Sequence, residues 1–300
     1  MATAEPIVSP PSTPFWGSKL RDYYSLTKPE VNLLILMTTS AGYYLASRGR
    51  PMNVLGLINT LIGTLLVASG TATLNQYTER VWDGKMRRTA NRPLPAGKIS
   101  GREALVFGVL LSVMGGLYLV LAVNWLSGAL AATTLLSYLF VYTPLKRITA
   151  LCTLLGAFPG AMPTLIGWAG AVNRIDSQAW FLFSILFLWQ FPHFLAIALM
   201  YRDDYARAGY RMLPDFDRDS RFTRLEILGF TVVLVAVTML PLAARSGVIY
   251  FAAMLLSGLY LLYHVALLIQ SPGAKRAGGV IHASVLYLPI VLATMMVYRG

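Results

Sequence analysis

Nine apolar blocks alternate with short polar segments along the chain, near 31–47, 54–74, 103–123, 125–141, 151–171, 178–200, 222–243, 247–270 and 280–298. Each is close to the roughly 20 residues that a helix needs to cross a hydrocarbon layer about 30 Å thick. The shorter blocks suit tilted spans, and Tyr43, Tyr44, Trp168 and Trp180 stand where interfacial aromatics are expected. Only Val123, Asn124 and Trp125 separate the third block from the fourth. The pattern predicts an all-α polytopic membrane protein of about nine transmembrane helices. Residues 1–18 are rich in Pro, Ser and Thr, so 1–27 is expected to be a disordered, cytoplasmic N-terminal segment. Residues 28–300 then form a single transmembrane domain. The opening segment carries Glu5 and no Arg, unlike an organellar transit peptide, and the first apolar block reads as a retained helix.

Composition supports the membrane over a large soluble core: 56% of residues are apolar and 13% charged, about half the charged share usual for soluble domains. A single cysteine, Cys152, excludes disulfides, Cys-based zinc sites and iron–sulfur clusters, and its place in an apolar block makes it an ordinary small buried residue. The net charge of +12 does not point to nucleic acid, because the cations flank spans, where topology and anionic membrane lipid account for them. Twenty of the 25 Lys and Arg residues fall in the N-terminal segment and the even-numbered loops. The other side holds Arg48, Arg50, Arg174, Arg245 and Arg299. The positive-inside rule puts the N-terminus in the cytoplasm and the C-terminus outside a cell (inner) membrane.

The acids are more informative than the cations. Nine of 13 lie within 75–103 and 203–226, both on the cytoplasmic side. Asn75, Glu79 and Asp83 are spaced four apart, so on a helix they share one face over about 12 Å. An amide oxygen and two carboxylates could hold a Mg²⁺ that takes its remaining ligands from water and phosphate. A solvated helix end has the same spacing, and spacing alone does not choose between them. Lys85, Arg87, Arg88 and Arg92 follow, and metal plus guanidinium is what a diphosphate needs. Asp203 and Asp204, with Arg207 and Arg211 behind them, repeat that chemistry. Adjacent helical residues point about 100° apart, so one of the two faces the first cluster, and Asp204 is preferred. Asp215, Asp217 and Asp219 read as a solvated loop. Tyr142 and Lys146 could both reach a phosphate, or be a belt tyrosine and a snorkelling lysine. His193, beside Pro192 within a span, is either functional or a hydrogen-bonded interhelical histidine. His264 and His282 read as structural.

Five motifs in order carry a family likeness: NxxxExxxD with RTxxRPL (Asn75 to Leu94), YTPLKR (Tyr142 to Arg147), GAMPTLIGW (Gly160 to Trp168), WQFPHF (Trp189 to Phe194) and DY-xx-AG-xx-MLP (Asp204 to Pro214). Together they resemble the UbiA-type intramembrane prenyltransferases, and among these the haem O synthase (protohaem IX farnesyltransferase) branch, over roughly 28–298. The resemblance implies helices around a central cavity open near the cytoplasmic face, with farnesyl diphosphate and protohaem IX as substrates and Mg²⁺ as cofactor. It implies Asn75, Glu79, Asp83 and Asp204 as the metal–diphosphate ligands. Tyr142 and Lys146 are implied beside the leaving group, Arg87, Arg88, Arg92 and Arg207 as substrate-binding cations, and His193 as a haem contact. A haem A synthase or an oxidase-assembly protein is the implied partner. The chain departs from the wider superfamily at Glu79, where many relatives have Asp, and at Arg207 and Ala208, where the second motif lacks its last acid. A symmetric two-metal site is therefore in question. The rival expectations are a prenyltransferase for a quinone precursor or chlorin and, from another class, an ion-coupled membrane carrier.

Overall fold

The computed structural model describes residues 16–240 and 247–298. The chain is helical nearly throughout: α1 (Trp16–Leu26), α2 (Pro29–Ala46), α3 (Val54–Asp83), α4 (Gly101–Ala122), α5 (Trp125–Leu136), α6 (Thr143–Leu145), α7 (Cys152–Val172), α8 (Ser177–Met200), α9 (Arg202–Ala208), α10 (Leu213–Phe216), α11 (Arg221–Thr238), α12 (Val248–Gln270) and α13 (Ala274–Val297). A π-helical turn, Ser137–Tyr142, joins α5 to α6 into one rod. Among the described residues this makes nine long helices, of which seven are long and apolar enough to cross a membrane.

Local chemistry sets the breaks. Asn124 caps the start of α5 by accepting a hydrogen bond from the Ser127 amide at 2.9 Å, so two residues, Val123 and Asn124, suffice to separate α4 from α5. Ser100 and Glu103 form a reciprocal capping box at the start of α4. Asp176 caps α8 by accepting from the amides of Gln178 and Ala179, both at 3.1 Å. Once started, α8 runs unbroken through Pro192.

Close approach sets the packing. Gly42 on α2 lies against the Thr164 backbone of α7, and Gly167 on α7 against the Thr39 backbone of α2, where any Cβ would collide with main chain. Phe183, Phe187 and Phe191 form a ladder along α8, and Phe191 stacks on Phe230 of α11 at 3.8 Å. Leu110, Leu117 and Leu121 of α4 and Val248, Ile249 and Leu256 of α12 remain exposed, an apolar outer surface suited to lipid.

Three expectations need correction. The segment 1–27 was expected to lack order, but Trp16–Leu26 is helical, because Leu26 is buried with Leu94 and Ile99 and Tyr23 packs edge-on to Phe107 at 5.0 Å. The second helix does not stop near 74 but continues through the acidic motif to Asp83, since burial and hydrogen bonding accommodate its polar end. The last helix begins at Ala274 rather than near 280, taking in Lys275 and Arg276. Residues 1–15, with Glu5, and Arg245 and Arg299 lie outside the described residues.

Candidate active site

The last turns of α3 carry Asn75, Glu79 and Asp83 along one buried face, with 1%, 6% and 1% of their surface exposed. Polar groups so deep need partners. Asn75 Nδ2 donates to Glu79 Oε2 at 3.0 Å and to Thr143 Oγ at 3.2 Å. Lys146 Nζ donates to Glu79 Oε1 at 2.8 Å, and Arg92 to Asp83 Oδ2 at 2.8 Å.

Each partner is positioned by its own segment. Beyond α3 the chain folds back: the Thr89 hydroxyl bonds the Asp83 carbonyl at 2.7 Å, and buried Leu94 and Ile99 anchor the loop beside Leu26. This holds Arg92 over Asp83. The π turn precedes Lys146, and π geometry frequently marks functional positions in helices. Thr143 donates back to the Tyr138 carbonyl at 2.8 Å while facing Asn75, and the Lys146 ammonium lies over the Tyr142 ring at 4.5 Å.

The second motif sits on α9, which starts after a break at Tyr201. Asp204 is 7% exposed, whereas Asp203 is exposed to solvent. Asp204 pairs with Arg207 and accepts from the Arg88 amide at 3.3 Å, which ties α9 to the loop after α3. Arg88 lays its guanidinium over the Tyr201 ring at 4.7 Å and donates to the Tyr205 hydroxyl at 3.3 Å. Arg87 is exposed. The Arg211 amide donates to the Lys146 carbonyl at 2.8 Å, closing the ring of segments around Glu79. Glu79, Asp83 and Asp204 are each matched to a different cation, on segments that these contacts tie to one another.

Three contributors were not singled out by sequence: Lys28, Thr143 and Tyr210. Lys28 holds a left-handed backbone, φ 51°, between α1 and α2, and its ammonium reaches Asn75 Oδ1 at 3.1 Å. Burial, and then nearby Arg92, pull that ammonium down to about 7. Lys146 feels the same burial, but Glu79 outweighs it and holds the ammonium well above its usual range. The Tyr210 hydroxyl is buried close beside Glu79 but, among the described residues, meets no partner in full hydrogen-bond geometry. Burial and the neighbouring carboxylate push it up, so it stays a protonated donor. The only hint in the sequence is the Tyr within the Asp204–Pro214 motif.

Lys28, Tyr138, Tyr142 and His193 are half-buried, each keeping some accessible surface. His193 stands apart from the ionic network, stacked on Trp189 at 4.8 Å with Nδ1 2.9 Å from Ser284 Oγ. Cys152 is fully buried, 3.7 Å from the Met212 sulfur. His264 packs against the rings of Tyr260 and Tyr263.

Among the described residues no three His, Cys, Asp or Glu side chains gather closely enough to hold a metal by themselves. The donors are nevertheless hard oxygens, and every carboxylate is already neutralised by a cation. Such a set fits a divalent ion that arrives with an anion supplying further oxygens, and the idle Tyr210 hydroxyl fits one more acceptor.

The sequence pattern of the UbiA prenyltransferase family matches residues 35–285. A relative from Solibacter usitatus (strain Ellin6076), named protoheme IX farnesyltransferase, is 48% identical over 289 residues, covering 93% of this chain and 99% of that protein. The fold superimposes on digeranylgeranylglyceryl phosphate synthase with a TM-score of 0.75 at 20% identity, covering 94% of this chain and 99% of that one. It also superimposes on a UbiA homolog from Archaeoglobus fulgidus bound to DMAPP and Mg²⁺, with a TM-score of 0.66 at 16% identity, covering 91% and 99%.

Proposed function

This chain belongs to the UbiA prenyltransferase family, and from that premise we propose that it transfers the farnesyl group of farnesyl diphosphate to a vinyl group of protohaem IX, with addition of water, giving haem O and diphosphate. The observation that carries the reading is the set of buried carboxylates Glu79, Asp83 and Asp204, each with its own cation, with the half-buried Tyr138 and Tyr142 beside Lys146. The name and high identity of the Solibacter relative support the choice of substrates.

Asn75, Glu79, Asp83 and Asp204 would hold Mg²⁺, which supplies Lewis-acid charge to the diphosphate oxygens. The Mg²⁺ bound to the Archaeoglobus homolog supports the choice of a divalent ion. Lys146, Arg92 and Arg207 face the charge that develops as the allylic C–O bond breaks and its electron pair leaves with diphosphate. They sit preset in buried surroundings, where that charge is stabilised more strongly than in water. Lys28 adds charge from the opposite helix start. The rings of Tyr138 and Tyr142, in edge contact at 5.0 Å, lie beside Lys146 and suit an allylic cation. The apolar space limits early capture by water. The vinyl carbon forms the new C–C bond, water adds to the resulting cation, and one proton is released.

The positive-inside count supports a cytoplasmic diphosphate end in an inner membrane. The test is to supply the purified chain with farnesyl diphosphate, protohaem IX and, in competition, 4-hydroxybenzoate, and to identify products by mass spectrometry. Haem O with stoichiometric diphosphate is expected. A prenylated benzoate would move the chain to quinone biosynthesis, and substrate-dependent transport without diphosphate release would make it a carrier.

A further inference from the structure

His193 and Trp189 are one helical turn apart on α8, and both engage Ser284 of α13. The Trp189 indole N–H donates to the Ser284 carbonyl at 2.7 Å. The Ser284 side chain is fully buried, with Oγ 2.7 Å from the Ile281 carbonyl of its own helix and 2.9 Å from His193 Nδ1. A hydroxyl has one proton. The Ile281 carbonyl is only an acceptor, so that short contact requires the Ser284 proton to point at it. Ser284 Oγ then accepts from His193, which places the imidazole proton on Nδ1. The other ring nitrogen, Nε2, is left with its lone pair. Among the described residues no hydrogen bond engages Nε2, and the side chain keeps some accessible surface. Stacking on Trp189, 18° from parallel, fixes the ring plane.

A neutral imidazole with its Nδ1–H held by a fixed acceptor and its Nε2 free in apolar surroundings has the form of a metal ligand supported from behind. We propose that Ser284 is a positioning residue that locks His193 in the Nδ1–H tautomer, so that Nε2 coordinates the iron of the porphyrin substrate. This rests on the haem reading above and names the atom that orients the substrate and the group that sets it. Iron coordination would tether the macrocycle at mid-span while its vinyl edge approaches the farnesyl chain.

The experiment titrates the full-length chain in nanodiscs with protohaem IX and, separately, with metal-free protoporphyrin IX, recording absorption and electron paramagnetic resonance spectra. The wild type should show an axial nitrogen signature with protohaem. His193→Ala should abolish it. Ser284→Ala should weaken protohaem affinity by about tenfold or more, as loss of a partner behind a metal ligand commonly does, with a shift towards a high-spin spectrum. Ser284→Thr, which keeps the hydroxyl, should restore both. Affinity for the metal-free porphyrin should be unchanged in every variant. Equal loss of both porphyrins in Ser284→Ala would make Ser284 a packing residue and overturn the proposal, as would an unchanged spectrum in that variant. A wild type that farnesylates protohaem without an axial nitrogen signature overturns this inference alone, whereas one that binds no protohaem overturns the haem reading with it.

Discussion

The two acidic motifs look like a repeated device, yet they are built differently. On α3 three oxygen-bearing residues lie in line on one continuous helix, all buried, with Asn75 bonded to Glu79 and Asp83 held by Arg92. On α9 a seven-residue helix follows a break, and only Asp204 of its adjacent acids turns inward. A long helix sets three side chains with a single rotation, so the α3 motif is rigid by construction. The α9 motif depends on its contacts with Arg88, Arg207 and the Lys146 backbone. One motif is a fixed jaw and the other a jaw that closes on it.

The largest effect tests both motifs at once. Stripping divalent ions with a chelator should silence farnesyl transfer, and Mg²⁺ should restore it; turnover that survives chelation would remove the metal from the scheme. Next, Asp83→Asn should lower kcat by roughly 10²- to 10³-fold, the scale of losing one preorganised electrostatic group, while protohaem binding followed by absorbance stays intact. Near wild-type turnover would show the α3 motif to be a structural network rather than a catalytic one. Asp204→Asn should cost less, about 10- to 100-fold, because α9 contributes one carboxylate to the other motif's two. Equal losses at Asp83 and Asp204 would erase the asymmetry. Tyr210→Phe should slow turnover about fivefold, the scale of one hydrogen bond, with little change in melting temperature, since the hydroxyl lies beside Glu79 without a well-formed hydrogen bond among the described residues. Smallest of all, Asp203→Asn should stay within about twofold, as expected of an exposed side chain away from any network.

Fold class and the α3 motif were legible because both are periodic: block length gives the spans, and fourfold spacing gives the face. The choice between Asp203 and Asp204 was harder, because it depends on where helix phase restarts after Tyr201, which no periodicity records. Lys28 was read only as a topological charge. Its contact with Asn75 spans 47 positions and needs a left-handed residue just before Pro29, a conformation that the sequence around a Lys-Pro pair does not announce. Tyr210 was equally hidden, because its burial comes from the α3 end packing over it. α1 was read as tail because proline and serine dominate what precedes it, although Tyr23 and Leu26 already carried a helical face.

The π turn makes Lys146 sensitive to chain length rather than chemistry. A stretch wound at five residues per hydrogen-bonded ring holds one residue more than an ordinary helix would need there. Rewinding Ser137–Tyr142 to a regular α-helix with every residue kept would swing everything beyond it by about 100° and aim the lysine at the wrong neighbour. Removing one residue there as the turn rewinds would instead take out the surplus and leave the lysine facing Glu79, so at this point in the chain a one-residue deletion is better tolerated than a change that only straightens the winding.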